Sequence, residues 1–248
     1  MGILELKDIT FRYEDSAFIN DLSLSVEDGE FIGLIGPNGS GKTTLLKLLA
    51  GLIKPAKGEV LLWGKPLRSY KGKDRAKLIS YLPQMIDITI PVTAREIVKM
   101  GLSPYDIPPA ISVEMAMDMV GIRDKADLIF SRLSGGEKRR TLIAMTLAQC
   151  AGLLLLDEPL ANLDIKYQLE LISLLRDFNF KRKIGVMMAV HDISMAFYFD
   201  RILIVKEGQI VADGRPSEVL TESSIRQAFG VDIKILGGEP GKPGIIYP

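Results

Sequence analysis

Gly36-Pro37-Asn38-Gly39-Ser40-Gly41-Lys42-Thr43, followed by Thr44, is the stretch on which the reading of this chain turns. Its spacing matches the Walker A pattern, Gly-x-x-x-x-Gly-Lys-Thr. The chemistry accounts for each residue type. Glycines let the backbone fold tightly, so that successive N–H groups point inward at phosphate oxygens. Lys42 adds a point charge for the β and γ phosphates of a nucleotide. The Thr43 hydroxyl is a hard oxygen ligand suited to Mg²⁺. A helix starting here turns its positive end toward the same anion. A glycine-rich turn can also arise without a ligand, so the flanks matter. The apolar run Phe31 to Ile35 leads straight into Gly36, and Thr43 to Leu49 is dense in helix formers and ends at Gly51. The expectation is a site for Mg²⁺ and ATP.

A second motif lies downstream. Leu153-Leu154-Leu155-Leu156-Asp157-Glu158 reads as a buried strand ending in two acids. In open α/β sheets the carboxyl ends of parallel strands are where ligands bind. Asp157 is expected to hold Mg²⁺ through water, and Glu158 to orient and deprotonate an attacking water. On their own, two acids could simply end a strand and solvate a turn. The upstream glycine loop favours the functional reading.

Working outward, Leu22, Leu24 and Val26 alternate with polar residues at the period of a half-buried strand. Gly58 to Trp63 reads as another. Between about 85 and 150 strand signals are few. Ala94 to Met100, Ser112 to Val120 and Gly136 to Gln149 read as helices, so this stretch is expected to be a helical insertion. Strand signals return at Leu153 to Leu156, Ile184 to Val190, Ile202 to Val205 and Gln209 to Ala212. Helices are expected at Ile165 to Phe178 and Ile193 to Phe199. Alternating strand and helix point to an α/β fold with a mainly parallel sheet. The tail from Gly237 to Pro248, rich in glycine and proline, is expected to be irregular.

Composition bounds the rest. In 248 residues, 47% are hydrophobic, enough for a sizeable core, and Lys+Arg and Asp+Glu number 31 each. That balance argues against a nucleic-acid partner held by bulk charge. The single cysteine, Cys150, rules out an internal disulfide and is expected to be a buried, inert thiol. No apolar run approaches the ~20 residues that span a bilayer.

Between the two motifs stands Leu133-Ser134-Gly135-Gly136-Glu137. Here the chain resembles the ATP-binding cassette (ABC) ATPases, whose signature is Leu-Ser-Gly-Gly-Gln/Glu. The same residues also read as a serine-capped helix start, and both readings can hold, because a helix N-terminus binds phosphate. The resemblance implies a P-loop NTPase core of 1–84 and 151–236, with an N-terminal antiparallel β subdomain and an inserted helical subdomain at 85–150. It implies that Ser134, Gly135, Gly136 and Glu137 act on the ATP held by a second copy of the chain. It also assigns Tyr13 as the aromatic stacking on adenine and Gln84, in Tyr81-Leu82-Pro83-Gln84, as a residue sensing Mg²⁺ and the membrane subunit. Asp164, in Ala161-Asn162-Leu163-Asp164, would lie in a loop crossing the dimer interface, though it could be only a helix N-cap. His191, the sole histidine, matches the switch histidine at the γ-phosphate. Departures from the family pattern are Glu137 for the commoner Gln, Arg139 where Gln is frequent, and Leu160 where Thr is frequent. Glu137 and Arg139 are expected beside the phosphate-binding helix end.

The segment Val92 to Gly101, and the end from Pro216 to Thr221 and on to Asp232, are similar to importers of iron-siderophore, haem and cobalamin. This implies a cytoplasmic ATPase subunit, peripheral on the inner face of the cell membrane. Its partners would be integral membrane permease subunits and, indirectly, a substrate-binding protein. Three alternatives stay open: a soluble non-transport ABC ATPase such as an iron–sulfur assembly component, a sugar or other-solute transporter, and a nucleic-acid-associated ATPase.

Overall fold

In the computed structural model, residues 2–13, 16–86, 88–232, 234–236 and 244–246 are described. The chain runs through β1 (Leu4–Tyr13), β2 (Ser16–Val26), β3 (Phe31–Ile35), α1 (Lys42–Leu49), β4 (Lys57–Leu62) and β5 (Lys65–Pro66). It continues with α2 (Gly72–Leu78), β6 (Ile79–Leu82), α3 (Ala94–Met100), α4 (Val113–Met119), α5 (Gly135–Ala148) and β7 (Leu153–Asp157). Then come α6 (Ile165–Arg182), β8 (Gly185–Ala189), β9 (Arg201–Lys206), β10 (Gln209–Gly214), α7 (Pro216–Val219), α8 (Glu222–Phe229), β11 (Lys234–Leu236) and β12 (Gly244–Ile246). It forms two compact units, Met1–Ser69 with Met187–Pro248, and Tyr70–Val186. The expected helical stretch, 85–150, lies inside the second unit, which also takes in α2, β6, β7 and α6.

The first unit holds an antiparallel sheet in the order β2-β1-β4-β5. Its alternating apolar residues, Leu4, Leu6, Leu22, Leu24 and Val26 among them, are buried. In the same unit β3 pairs in parallel with β9, with Ile35 opposite Ile204, and β10 pairs antiparallel on the other side of β9. Every residue of β3 is buried, which is why it reads as an unbroken apolar run rather than an alternating one. Val190, one residue past β8, donates its N–H to the Leu34 carbonyl at 2.9 Å.

In the second unit β6 and β7 run parallel, with Ile79 opposite Leu153 and Leu82 opposite Leu156. All five residues of β7 are buried; at about 1.5–3 kcal/mol for each fully buried leucine, the run Leu153 to Leu156 is a large local contribution to the core. The helices start where side chains can cap them. Thr93 and Glu96 form a reciprocal capping box on α3, Ser112 caps α4, Ser134 and Glu137 box α5, and Asp164 caps α6. Such caps satisfy N–H groups that the first turn leaves without partners.

Three expectations are corrected. Ile193 to Tyr198 is a 3₁₀ segment rather than an α-helix. Asp192 turns its carboxylate onto the Ser194 N–H at 2.8 Å, a two-residue reach that favours the tighter winding. In the tail, Gly244–Ile246 is a strand paired antiparallel with Lys234–Leu236, not irregular chain; 237–243 and 247–248 lie outside the described residues. Cys150 is only partly buried, because it follows the end of α5 with a left-handed backbone, φ 52°, instead of entering the strand.

Candidate functional site

In the first unit the phosphate loop hangs between the end of β3 and the start of α1. Gly36 and Gly41 carry positive φ, 156° and 112°, and Gly41 occupies the N-cap of α1 with no side chain capping it. The first N–H groups of α1 are thus left to the backbone and to whatever the loop binds. Lys42 is buried and folds back over the loop, its Nζ donating to the Gly36 carbonyl at 2.7 Å and the Pro37 carbonyl at 3.1 Å. Ser40 is also buried, and its Oγ has no hydrogen-bond partner among the described residues. A buried orphan hydroxyl in a glycine-rich loop before a helix start is what a bound anion would satisfy. The loop is braced from below by the Gly208 N–H, which donates to the Ser40 carbonyl at 2.8 Å.

Tyr13 stands close by. Its hydroxyl shares a 2.8 Å hydrogen bond with Thr44 Oγ1, and Phe11 and Phe18 meet its ring edge-on. Half of Tyr13 remains exposed, which suits an aromatic platform beside the loop. His191 is exposed and follows directly on Val190, whose bond to Leu34 brings it alongside the strand that feeds the loop.

In the second unit the parallel register of β6 and β7 brings two chain segments together at their carboxyl ends. Gln84, two residues past β6, donates its Nε2 to Glu158 Oε2 at 2.6 Å. Asp157 and Glu158 are both buried. Glu158 sits in the left-handed region at φ 51°, a sparsely populated conformation typical of functional turns. Tyr81 directs its hydroxyl at Asp157 Oδ2 over 3.4 Å. Burial, and then the Asp157 charge, push the Tyr81 phenol well above its ordinary range, so it stays a neutral donor.

Ser134 opens α5. Its N–H donates to Glu137 Oε2 at 2.8 Å, and its Oγ accepts from the Glu137 N–H at 3.3 Å. That backbone bond chiefly holds the Glu137 carboxyl below its ordinary value. Gly135 and Gly136 sit in the first turn. A Cβ on either would meet nothing closer than 3.5 Å within the chain, so packing in this chain does not require glycine there. Asp164 Oδ1 accepts from the Tyr167 N–H at 3.0 Å, which realises the helix-cap reading for it.

Arg139 departs from its expected place. It does not lie beside the exposed start of α5 but is buried, its guanidinium reaching the carbonyls of Pro83, Gln84, Asp157 and Pro159. The helical phase carries the signal for this burial, because Arg139 shares the i, i+3, i+4, i+7 stripe with buried Leu142, Ile143 and Thr146.

The residues expected to serve Mg²⁺, Thr43 in the first unit and Gln84 and Asp157 in the second, carry hydroxyl, amide and carboxylate oxygens, each a hard donor of the kind this cation takes. The donor types therefore fit it.

Comparison with known proteins gives these residues a family. The model of the ABC transporter family matches residues 19–161, more than half of the chain. The petrobactin import ATP-binding protein of Bacillus anthracis is 35% identical over 244 residues, covering 95% of this chain and 90% of that one. The hemin import ATP-binding protein of Bordetella avium is 36% identical over 245 residues, covering 94% of each. Among solved structures, a dimeric ATP-binding cassette in a post-hydrolysis state with ADP and Pi is 27% identical, with a TM-score of 0.78 over 86% of this chain and 98% of that one. A metal-chelate type ABC transporter in an inward-facing conformation shares the fold, with a TM-score of 0.82 at 23% identity over 99% of this chain and 97% of that one. Likeness of this order along nearly the whole of both chains makes this protein a member of the ABC transporter family, among its ATP-binding subunits.

Proposed function

We propose that the chain hydrolyses ATP to power import of a metal chelate, of the siderophore, haem or cobalamin kind, through a membrane permease. Support for the siderophore and haem kinds comes from relatives that carry such names and align over most of their own length. In this reading the protein lies on the cytoplasmic face of the membrane. Among the described residues no helix is long and apolar enough to cross a bilayer, so the path would be supplied by permease subunits and the solute delivered to them by a substrate-binding protein.

The loop N–H groups, the Ser40 hydroxyl and Lys42 hold the phosphates. Lys42 now donates to two neutral carbonyls; a phosphate oxygen is the stronger acceptor for an ammonium. Tyr13 stacks on adenine. Thr43, Gln84 and Asp157 would supply oxygens to Mg²⁺, which would neutralise phosphate charge. Glu158 orients the attacking water and takes its proton, and His191 contacts the γ-phosphate. Ser134, Gly135, Gly136 and Glu137 close on the ATP of a second copy, with Asp164 in the loop that crosses between copies. The bare glycines carry this last assignment: a helix start kept free of side chains with no packing reason inside the chain is suited to an anion from outside it.

The hydrogen bond between Gln84 and the buried Glu158 is the observation that carries hydrolysis, because it sets a carboxylate at the strand end with its position fixed. Glu158→Gln tests it. Loss of a general base removes about 10²–10⁴-fold of rate, so steady-state turnover should fall by about that factor while ATP-dependent dimers persist in size-exclusion chromatography. Near-normal hydrolysis by that variant would refute Glu158 as the base. Co-purification with a polytopic membrane protein tests the transport reading against a soluble ABC ATPase.

A further inference from the structure

We propose that Arg139 is a positioning residue for hydrolysis, holding Glu158 and Gln84 in place from the helix that begins at Ser134. The inference rests on the ATPase reading above.

One guanidinium makes four hydrogen bonds, all to backbone carbonyls. Nη2 donates to Asp157 at 2.7 Å and Nε to Pro159 at 3.2 Å. These are the carbonyls on either side of Glu158. Nη1 donates to Pro83 at 2.9 Å and to Gln84 at 3.2 Å. The same cation therefore grips the backbone flanking the proposed base and the backbone of the residue whose side chain holds that base.

The grip answers a need that the backbone creates. Glu158 is held at φ 51°, a conformation that costs a non-glycine residue about 1–2 kcal/mol and persists only where its surroundings over-determine it. Anchoring both neighbouring carbonyls does so. The planar fork of arginine is suited to this, since its five donors leave in fixed directions. Lysine offers three donors from one point, and glutamine offers two. Neither can span four acceptors on two segments. Arg139 is 5% exposed, and burial brings it down to about 10, with the Asp157 and Glu158 carboxylates acting the other way; it remains a cation at neutral pH.

All four bonds of Arg139 fall on the segments around Gln84 and Glu158, so at saturating Mg²⁺ removing it should slow chemistry and spare binding. The test compares Arg139→Met, with no donors, and Arg139→Lys in steady-state ATPase assays of the full chain with Mg²⁺. Thermal melts report the folded fraction, and a fluorescent ATP analogue reports affinity. A misplacement of order 1 Å costs about a hundredfold in rate, so kcat per folded Met variant should fall about ten- to a hundredfold, with KM and nucleotide affinity within about twofold. The Lys variant should fold and recover part of the loss. In a Gln84→Ala background, where one of the two held groups is already gone, Arg139→Met should cost markedly less than alone. The proposal is overturned if kcat per folded molecule stays within about twofold of wild type, if KM rises in step with the loss, or if the effects of Gln84→Ala and Arg139→Met multiply in full. If the Met variant fails to fold, a Lys variant with wild-type kcat overturns it. A wild-type chain without ATPase activity would overturn the proposed function itself, whereas an active wild type with an unaffected Met variant sinks only the role of Arg139.

Discussion

Gly36→Ala and Gly39→Ala change two glycines of one loop by the same methyl group, and the structure assigns them different costs. At Gly36 a Cβ would lie 2.1 Å from the Val205 carbonyl oxygen and 2.8 Å from Ser40 Oγ, at φ 156°. Val205 belongs to β9 and pairs with Ile210 of β10, so that carbonyl cannot swing away. Relief needs about 1 Å of backbone movement, an overpacking event of about 1–3 kcal/mol. The glycine-type conformation adds about 1–3 kcal/mol. Gly36→Ala should therefore lose about 2–6 kcal/mol, a large part of the ~5–15 kcal/mol that holds a domain together. At Gly39 a Cβ meets nothing within 4 Å, and only the left-handed φ of 76° is at issue. That variant should lose about 1–2 kcal/mol. Denaturant midpoints of the two variants, read at equal m-value, measure the difference. Gly36 also supplies the carbonyl that anchors Lys42, so its variant should bind ATP more weakly as well. Equal losses at the two positions, or a greater loss at Gly39, would refute the steric account of the loop.

Thr93→Ala removes one half of the capping box on α3, where the Glu96 N–H donates to Thr93 Oγ1 at 3.2 Å; a loss of about 0.5–2 kcal/mol in chemical denaturation is expected. Glu137→Gln keeps an acceptor for the Ser134 N–H but discards the charge. The folded carboxyl lies below its ordinary value of 4.5, so its stabilisation is present above that value and is lost as pH falls through the lowered one. Wild type should be the more stable chain at neutral pH, with the gap closing in acid; a gap that ignores pH would count against the carboxylate.

How much of this was legible before the structure depended on which force shaped each element. The runs Phe31 to Ile35 and Leu153 to Leu156 are buried on both faces, and burial leaves a composition signal that no turn or surface obscures. The starts of α3, α4 and α5 fall at Thr93, Ser112 and Ser134, because capping is local chemistry written in adjacent residues. Helix α2 escaped notice because none of its residues is buried, leaving no apolar stripe to count. The loop Gly36 to Thr43 and the acids Asp157 and Glu158 could be found from pattern. Their partners could not: the meeting of Gln84 with Glu158 follows from the parallel register of β6 on β7, a contact between residues 74 positions apart that no periodicity encodes.

Helix α5 joins the capped start at Ser134 to the backbone around Glu158. Its first turn carries glycines that this chain does not need for its own packing, and its second carries the arginine that grips the carbonyls around Glu158. Five residues of α-helix span about 7.5 Å at 1.5 Å per residue, and over that length the backbone bonds make a helix nearly rigid. A displacement imposed at Ser134 would therefore be felt at Arg139. Arg139 cannot absorb it by changing rotamer without giving up hydrogen bonds in a buried setting, where an unpaired donor or acceptor costs about 1–3 kcal/mol. Movement then passes to Asp157 and Pro159, and so to the backbone on each side of Glu158. A helix start that meets an anion outside the chain would in this way report its occupancy to the base inside it. The residue best placed to carry that report is Arg139, whose four bonds reach both sides of Glu158 and the backbone of Gln84.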